Sequence, residues 1–94
     1  MKPSPLSEAE VVSRLSSLNG WNLETGEITR TFEFADFRGS LAFVNRVGEL
    51  AEAAGHHPDI DIRYNKVRLA LVTHDAGGLT AKDFNLAAQI NHTA

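Results

Sequence analysis

Ninety-four residues, 43% of them hydrophobic, bound this chain to one compact domain over residues 1–94 with a small core. A formal charge of -3 lacks the basic excess that phosphate backbones and anionic membranes demand, so neither direct nucleic-acid binding nor membrane-surface binding is expected. The absence of cysteine excludes disulfides, thiol redox chemistry and thiolate metal sites, and no apolar run approaches the roughly 20 residues of a membrane span, so a cytoplasmic protein is the simplest expectation.

The elements follow in order. Met1–Leu6 carries two prolines and reads as an extended lead-in. Ser7-Glu8-Ala9-Glu10 has the spacing of a capping box and opens a short helix to about Ser17, with Val11, Val12, Leu15 and Leu18 on its buried side. Asn19-Gly20 ends it. Trp21-Asn22-Leu23 alternates as a first strand, Glu24-Thr25-Gly26 turns, and Ile28 to Phe34 forms a second strand with Ile28, Phe32 and Phe34 on one face.

At Asp36 the apolar period changes from two to about three and a half. Phe37, Leu41, Val44, Val47 or Gly48, Ala51 and Ala54 then recur at helical spacing. Asp36 suits the N-cap and Gly55 the terminator of this longest helix, roughly 27 Å from Phe37 to Ala54. A third strand, Ile60 to Tyr64, turns at Asn65-Lys66 into a fourth, Val67 to Thr73, which delivers His74 at its end. Gly77-Gly78 is a backbone turn. Thr80 and Asp83 form a second capping box, and the last helix runs to about Asn91, burying Phe84, Ala87, Ala88 and Ile90, with Leu79 and Phe84 spaced as a hydrophobic staple.

The chemistry concentrates at Glu52-Ala53-Ala54-Gly55-His56-His57-Pro58 and at His74. Gly55 closes the helix and Pro58 forces His57 into extended geometry, so the imidazoles sit on stiff backbone. A two-residue loop flanked by Tyr64 and Val67 would place His57 opposite His74, within about 5 Å at Cβ; an odd loop or a bulge would favour His56 or Pro58 instead. Histidine titrates nearest neutral pH, so two or three together point to proton transfer. Three histidines and Glu52 also raise zinc, but adjacent residues in an extended segment face opposite ways and no H-E-x-x-H spacing is present; no metal and no cofactor are expected.

Glu52, His56-His57-Pro58, Tyr64, His74 and Asp83, with Tyr64-Asn65-Lys66-Val67, Thr73-His74-Asp75-Ala76-Gly77-Gly78-Leu79-Thr80 and Trp21, resemble the signature of the pterin-4a-carbinolamine dehydratases. The resemblance spans most of the chain. It implies an α+β fold, a four-stranded antiparallel sheet with three helices packed on one face in the order α-β-β-α-β-β-α, as the elements above also suggest. It further implies a hydro-lyase that dehydrates 4a-hydroxytetrahydrobiopterin to quinonoid dihydropterin, serving tetrahydrobiopterin recycling after aromatic amino acid hydroxylation. His56, His57 and His74 would do the acid–base work, with the choice of acid and base left open. Pro58, Thr73, Asp75 and Ala76 would join them in lining the pterin pocket, and Trp21, Glu52 and Asp83 would support it.

Simpler readings stand beside these. A lone histidine near a helix C-terminus is usually structural, His92 reads as a solvated bystander, Trp21 suits a core position, and Glu52 and Asp83 suit helix ends. The alternative function is a protein-binding module, because animal members of the family also act as dimerisation cofactors for a homeodomain transcription factor. Retention of all three histidines favours the enzyme, whose partners would be a pterin substrate and an aromatic amino acid hydroxylase. Apolar residues on both faces of the fourth strand, Val67, Leu69 and Leu71 against Ala70 and Val72, predict a homodimer or homotetramer, because one helical layer covers a single sheet face.

Overall fold

The computed structural model describes residues 4–94; the part of the expected lead-in over Met1–Pro3 lies outside them. Three helices and four antiparallel strands follow in the expected order, α-β-β-α-β-β-α. They are α1 (Glu8–Ser16), β1 (Asn22–Glu24), β2 (Glu27–Glu33), α2 (Phe37–Ala54), β3 (Asp59–Arg63), β4 (Lys66–Leu71) and α3 (Ala81–Thr93), with a 3-10 turn at His74–Ala76 before α3. The strands lie in the order β1-β2-β4-β3, which leaves β1 and β3 as edges. No described helix is long and apolar enough to cross a membrane.

All three caps form as the sequence predicts. Ser7 and Glu10 exchange hydrogen bonds, Asp36 Oδ1 accepts the Gly39 N–H at 2.9 Å, and Thr80 and Asp83 make the second capping box. The backbone and then the hydroxyl of Ser7 hold the Glu10 carboxyl below its usual range. The stability from that contact is present above the ordinary carboxylate value and is lost as pH falls through the lowered one.

The core lies between the helices and one sheet face. Ile28, Phe32, Val67, Leu69 and Leu71 share that face by alternation and register, and all are buried. The helices meet it differently from expectation at three places. In α1, Val12 is 64% exposed while Leu15, and Leu18 just past the helix, are half-buried. In α2 the buried stripe is Ser40, Phe43, Val47 and Ala51, whereas Phe37 and Leu41 are exposed and Val44 is half-buried. In α3, Leu86 is buried and Ala88 exposed.

The other sheet face is polar. Thr31 and Asp61 both pair with Arg68, Glu33 and Arg63 both pair with Lys66, and Arg68 bridges to Glu24 at 3.0 Å. The Thr29 hydroxyl, then Arg68, hold the Glu24 carboxyl below its usual range. Ala70 is the one apolar side chain that β4 adds there, so the expected apolar remainder on this face is small.

Both hairpins close with two residues. The first is Thr25-Gly26, with φ of 50° and 80°, a pattern suited to Asn-Gly and strained for a β-branched threonine. Thr25→Asn should therefore raise stability by about 1 kcal/mol, read as a higher urea midpoint with an unchanged slope. The second loop is Tyr64-Asn65, one residue earlier than expected, with Arg63 paired to Lys66 and φ of 52° at Tyr64. Tertiary contacts hold it there. Ser40 Oγ donates to the Tyr64 carbonyl at 2.6 Å, and Asn65 exchanges backbone and side-chain hydrogen bonds with Phe34.

Candidate active site

The end of α2 sets the first two histidines. Gly55 takes φ of 63°, its N–H reaches the Glu52 carbonyl, and the His56 N–H reaches the Ala51 carbonyl. This pair of bonds is a Schellman closure, which makes the His56 backbone part of the helix stop. The chain then runs extended through Pro58 into β3, so His56 and His57 project to opposite sides. The shifted hairpin loop changes their partners. Asp59 pairs with Ala70, and continuing that register brings His56 opposite Thr73 and His57 opposite Val72, in place of the expected pairing of His57 with His74.

His56 therefore faces the helical side, where α3 begins. Its Nε2 lies 2.5 Å from Asp83 Oδ1, and its side chain is 13% exposed while Asp83 is fully buried. The other oxygen, Oδ2, accepts the Thr80 N–H at 2.9 Å and the Thr73 hydroxyl at 2.8 Å. A capping-box acid thus spends one oxygen on its helix and the other on an imidazole. Every buried polar side-chain atom among the described residues has a partner, which is what makes a buried carboxylate tolerable.

His57 faces the other way, and its Nε2 meets Glu52 Oε2 at 2.5 Å in an exposed pair. His74 arrives as the first residue of the 3-10 turn, past the end of β4, held by a bridge between Thr73 and Gly78 and by Gly77 at φ of 74°. Its exposed side chain makes no hydrogen bond within the described residues. A cleft of about 300 Å³ brings the three imidazoles together, lined also by Gly55, Val72, Thr73, Asp75 and Lys82. That volume is at the small end for ligand sites.

Of the residues predicted for the site, His56, His57, Thr73, His74 and Asp75 line this cleft, and Glu52 and Asp83 support two of its imidazoles from behind. Pro58 and Ala76 are half-buried beside it without lining it. Trp21 belongs elsewhere. It is 4% exposed, packs edge-on against Phe32, and donates its indole N–H to Asn91 Oδ1 at 2.8 Å. Lys82 was not foreseen as a lining residue; its place beside Asp83 in the first turn of α3 is the signal that marks it.

The comparisons with known proteins bear on the family and the fold. The family described as "Pterin 4 alpha carbinolamine dehydratase" matches residues 4–93. A protein of Chloroflexus aurantiacus named "Putative pterin-4-alpha-carbinolamine dehydratase" is 65% identical over 86 residues, covering 92% of each chain. One of the same name from Acidobacterium capsulatum is 65% identical over 85 residues, 90% of this chain and 92% of that one. Among solved structures, a "transcriptional coactivator/pterin dehydratase" from Brucella melitensis superposes with a TM-score of 0.92 at 34% identity, covering 97% of this chain and 99% of its own. A pterin dehydratase-like RuBisCO assembly factor of the alpha-carboxysome shares the fold, with a TM-score of 0.66 at 23% identity over 79% of this chain and 88% of its own. Matched by the family from residue 4 to residue 93 and 65% identical to a relative that bears its name, this chain belongs to the pterin 4 alpha carbinolamine dehydratase family.

Proposed function

We propose that this protein dehydrates 4a-hydroxytetrahydrobiopterin to quinonoid dihydropterin and water by histidine acid–base catalysis, and so supports tetrahydrobiopterin recycling after aromatic amino acid hydroxylation. The observation that carries the reading is the meeting of His56, His57 and His74 at one cleft, two of them backed by carboxylates and the third without a side-chain hydrogen bond within the described residues. A base takes the proton from the ring nitrogen, and the electrons of that N–H bond form the C=N bond to C4a. The C4a–O bond breaks, and the hydroxyl leaves as water with a proton from an acid. No redox step or metal is needed, and each proton transfer is worth about 10²–10⁴ in rate. Ultraviolet absorbance of freshly made 4a-hydroxytetrahydropterin, followed with and without the protein, tests the proposal. An unchanged decay rate at micromolar protein refutes it.

A binding role is the second reading, favoured by the double name of the Brucella relative and by one surface. Phe37, Leu41 and Tyr64 line a shallow depression between α2 and the second hairpin, and Ile60 and Ile62 stand exposed on the edge strand β3. An apolar edge strand with unpaired backbone groups invites pairing. A second copy of this chain is the occupant we propose, giving a homodimer or homotetramer with the active-site cleft unchanged. Light scattering behind a sizing column at micromolar concentration should give two or four times the 10.2 kDa chain mass; a single species at the chain mass overturns it.

A further inference from the structure

Behind His56 the hydrogen bonds have a direction. The Lys82 N–H donates to Thr80 Oγ at 3.3 Å, Thr80 Oγ lies 2.7 Å from Thr73 Oγ, and Thr73 donates to Asp83 Oδ2 at 2.8 Å. Each hydroxyl has one hydrogen to give. Asp83 Oδ2 already accepts the Thr80 N–H at 2.9 Å, so it meets Thr73 as an acceptor and takes that residue's only hydrogen. The contact between the two threonines must then be filled by the Thr80 hydrogen. The run reads one way, Lys82 N–H to Thr80 to Thr73 to Asp83, and such chains strengthen each member in turn.

That direction bears on the imidazole. Among the described residues Asp83 Oδ1 meets Nε2 of His56 alone, and an accepting oxygen there requires a hydrogen on Nε2. In the neutral ring the lone pair is then on Nδ1. Nδ1 makes no hydrogen bond within the described residues, and no buried side-chain nitrogen or oxygen among them lacks a partner, so Nδ1 is an accessible atom of a residue that lines the cleft.

We propose that Thr80 and Thr73 are positioning residues for His56: through Asp83 they hold the neutral imidazole in its Nε2–H form and present Nδ1 to the cleft as the proton-accepting atom. Neither threonine hydroxyl needs to touch substrate; Thr73 turns its own inward to Asp83 although the residue lines the cleft. The proposal rests on the dehydratase reading for its catalytic consequence only, since the tautomer is a property of the protein alone.

The test is a long-range proton–nitrogen correlation spectrum of protein labelled with ¹⁵N-histidine at about pH 8.5, roughly two units above the unperturbed histidine value, with His56 assigned by its loss in His56→Gln. The expected wild-type pattern is a pyrrole-type Nε2 and a pyridine-type Nδ1. A pyridine-type Nε2 overturns the proposal even if the protein proves an active dehydratase, and the expected pattern upholds the tautomer even if no dehydration is found. Thr80→Ser should keep the wild-type pattern and rate. Thr73→Val, which leaves the α3 cap intact, and Thr80→Val should each mix the two tautomers and lower kcat about 10- to 100-fold, the range for partners that orient a reacting group, with KM changed less than about twofold. A folded Thr73→Val protein with wild-type tautomer and kcat would also overturn it.

Discussion

Replacing His56 with alanine is expected to slow pterin dehydration by about 10²–10⁴-fold and also to cost stability, whereas His74→Ala should slow the reaction comparably and leave stability within about 0.5 kcal/mol. The difference follows from burial. Asp83 is fully buried and, among the described residues, Oδ1 has only the His56 ring as partner, so truncation strands a buried acceptor at a cost of about 1–3 kcal/mol. His74 is exposed and makes no side-chain hydrogen bond within the described residues, so its removal strands nothing. The double variant should lose much less than the product of the two single losses, because groups that act on one substrate as a unit are not additive. The checks are the absorbance decay of freshly made 4a-hydroxytetrahydropterin and urea melts on the same preparations. Full activity in both folded single variants would end the assignment.

Sequence alone carries the site residues further than it carries their partners. Asp36 and Gly55 bound α2 because caps are local chemistry, and both lie where the side-chain rules put them. The capping box of Thr80 and Asp83 is equally local, and Asp83's place behind an imidazole is implied only by the family resemblance. Its specific partnership with His56 depends on how α3 meets the end of α2. The second hairpin shows the limit most directly. Asn65-Lys66 is the more ordinary loop by composition, yet Tyr64 accepts a positive φ because Ser40 and Phe34 hold the turn from outside it. A two-residue change of register keeps every side chain on its face, which is why the strands were legible while the pairing of His57 with His74 was not.

The face of α2 is legible only in part, because the first half of its sequence carries two apolar stripes and a helical period admits either. The stripe read from the sequence, Phe37, Leu41, Val44, Val47 or Gly48, Ala51 and Ala54, shares Val47 and Ala51 with the buried one, Ser40, Phe43, Val47 and Ala51, and departs from it at the other positions. The sheet chooses the second, because Phe43 meets aromatic partners there, its ring centre 4.6 Å from that of Phe32 and 5.0 Å from that of Phe34. Phe43→Ala should accordingly cost about 3–5 kcal/mol, against the roughly 5–14 kcal/mol that a domain of this length commands. Much of the folded population would be lost near physiological temperature. The site should suffer before global unfolding, since α2 ends in the Gly55-His56 closure and a loosened helix lets His56 leave Asp83. Phe37→Ala is the control on the other stripe. Phe37 is 46% exposed, so its loss should matter only through self-association and should fade with dilution, while the Phe43 loss should be the same at every protein concentration. Urea midpoints at two concentrations decide the matter: a concentration-independent loss for Phe37→Ala that exceeds the loss for Phe43→Ala would mean that the helix buries the Phe37 side instead.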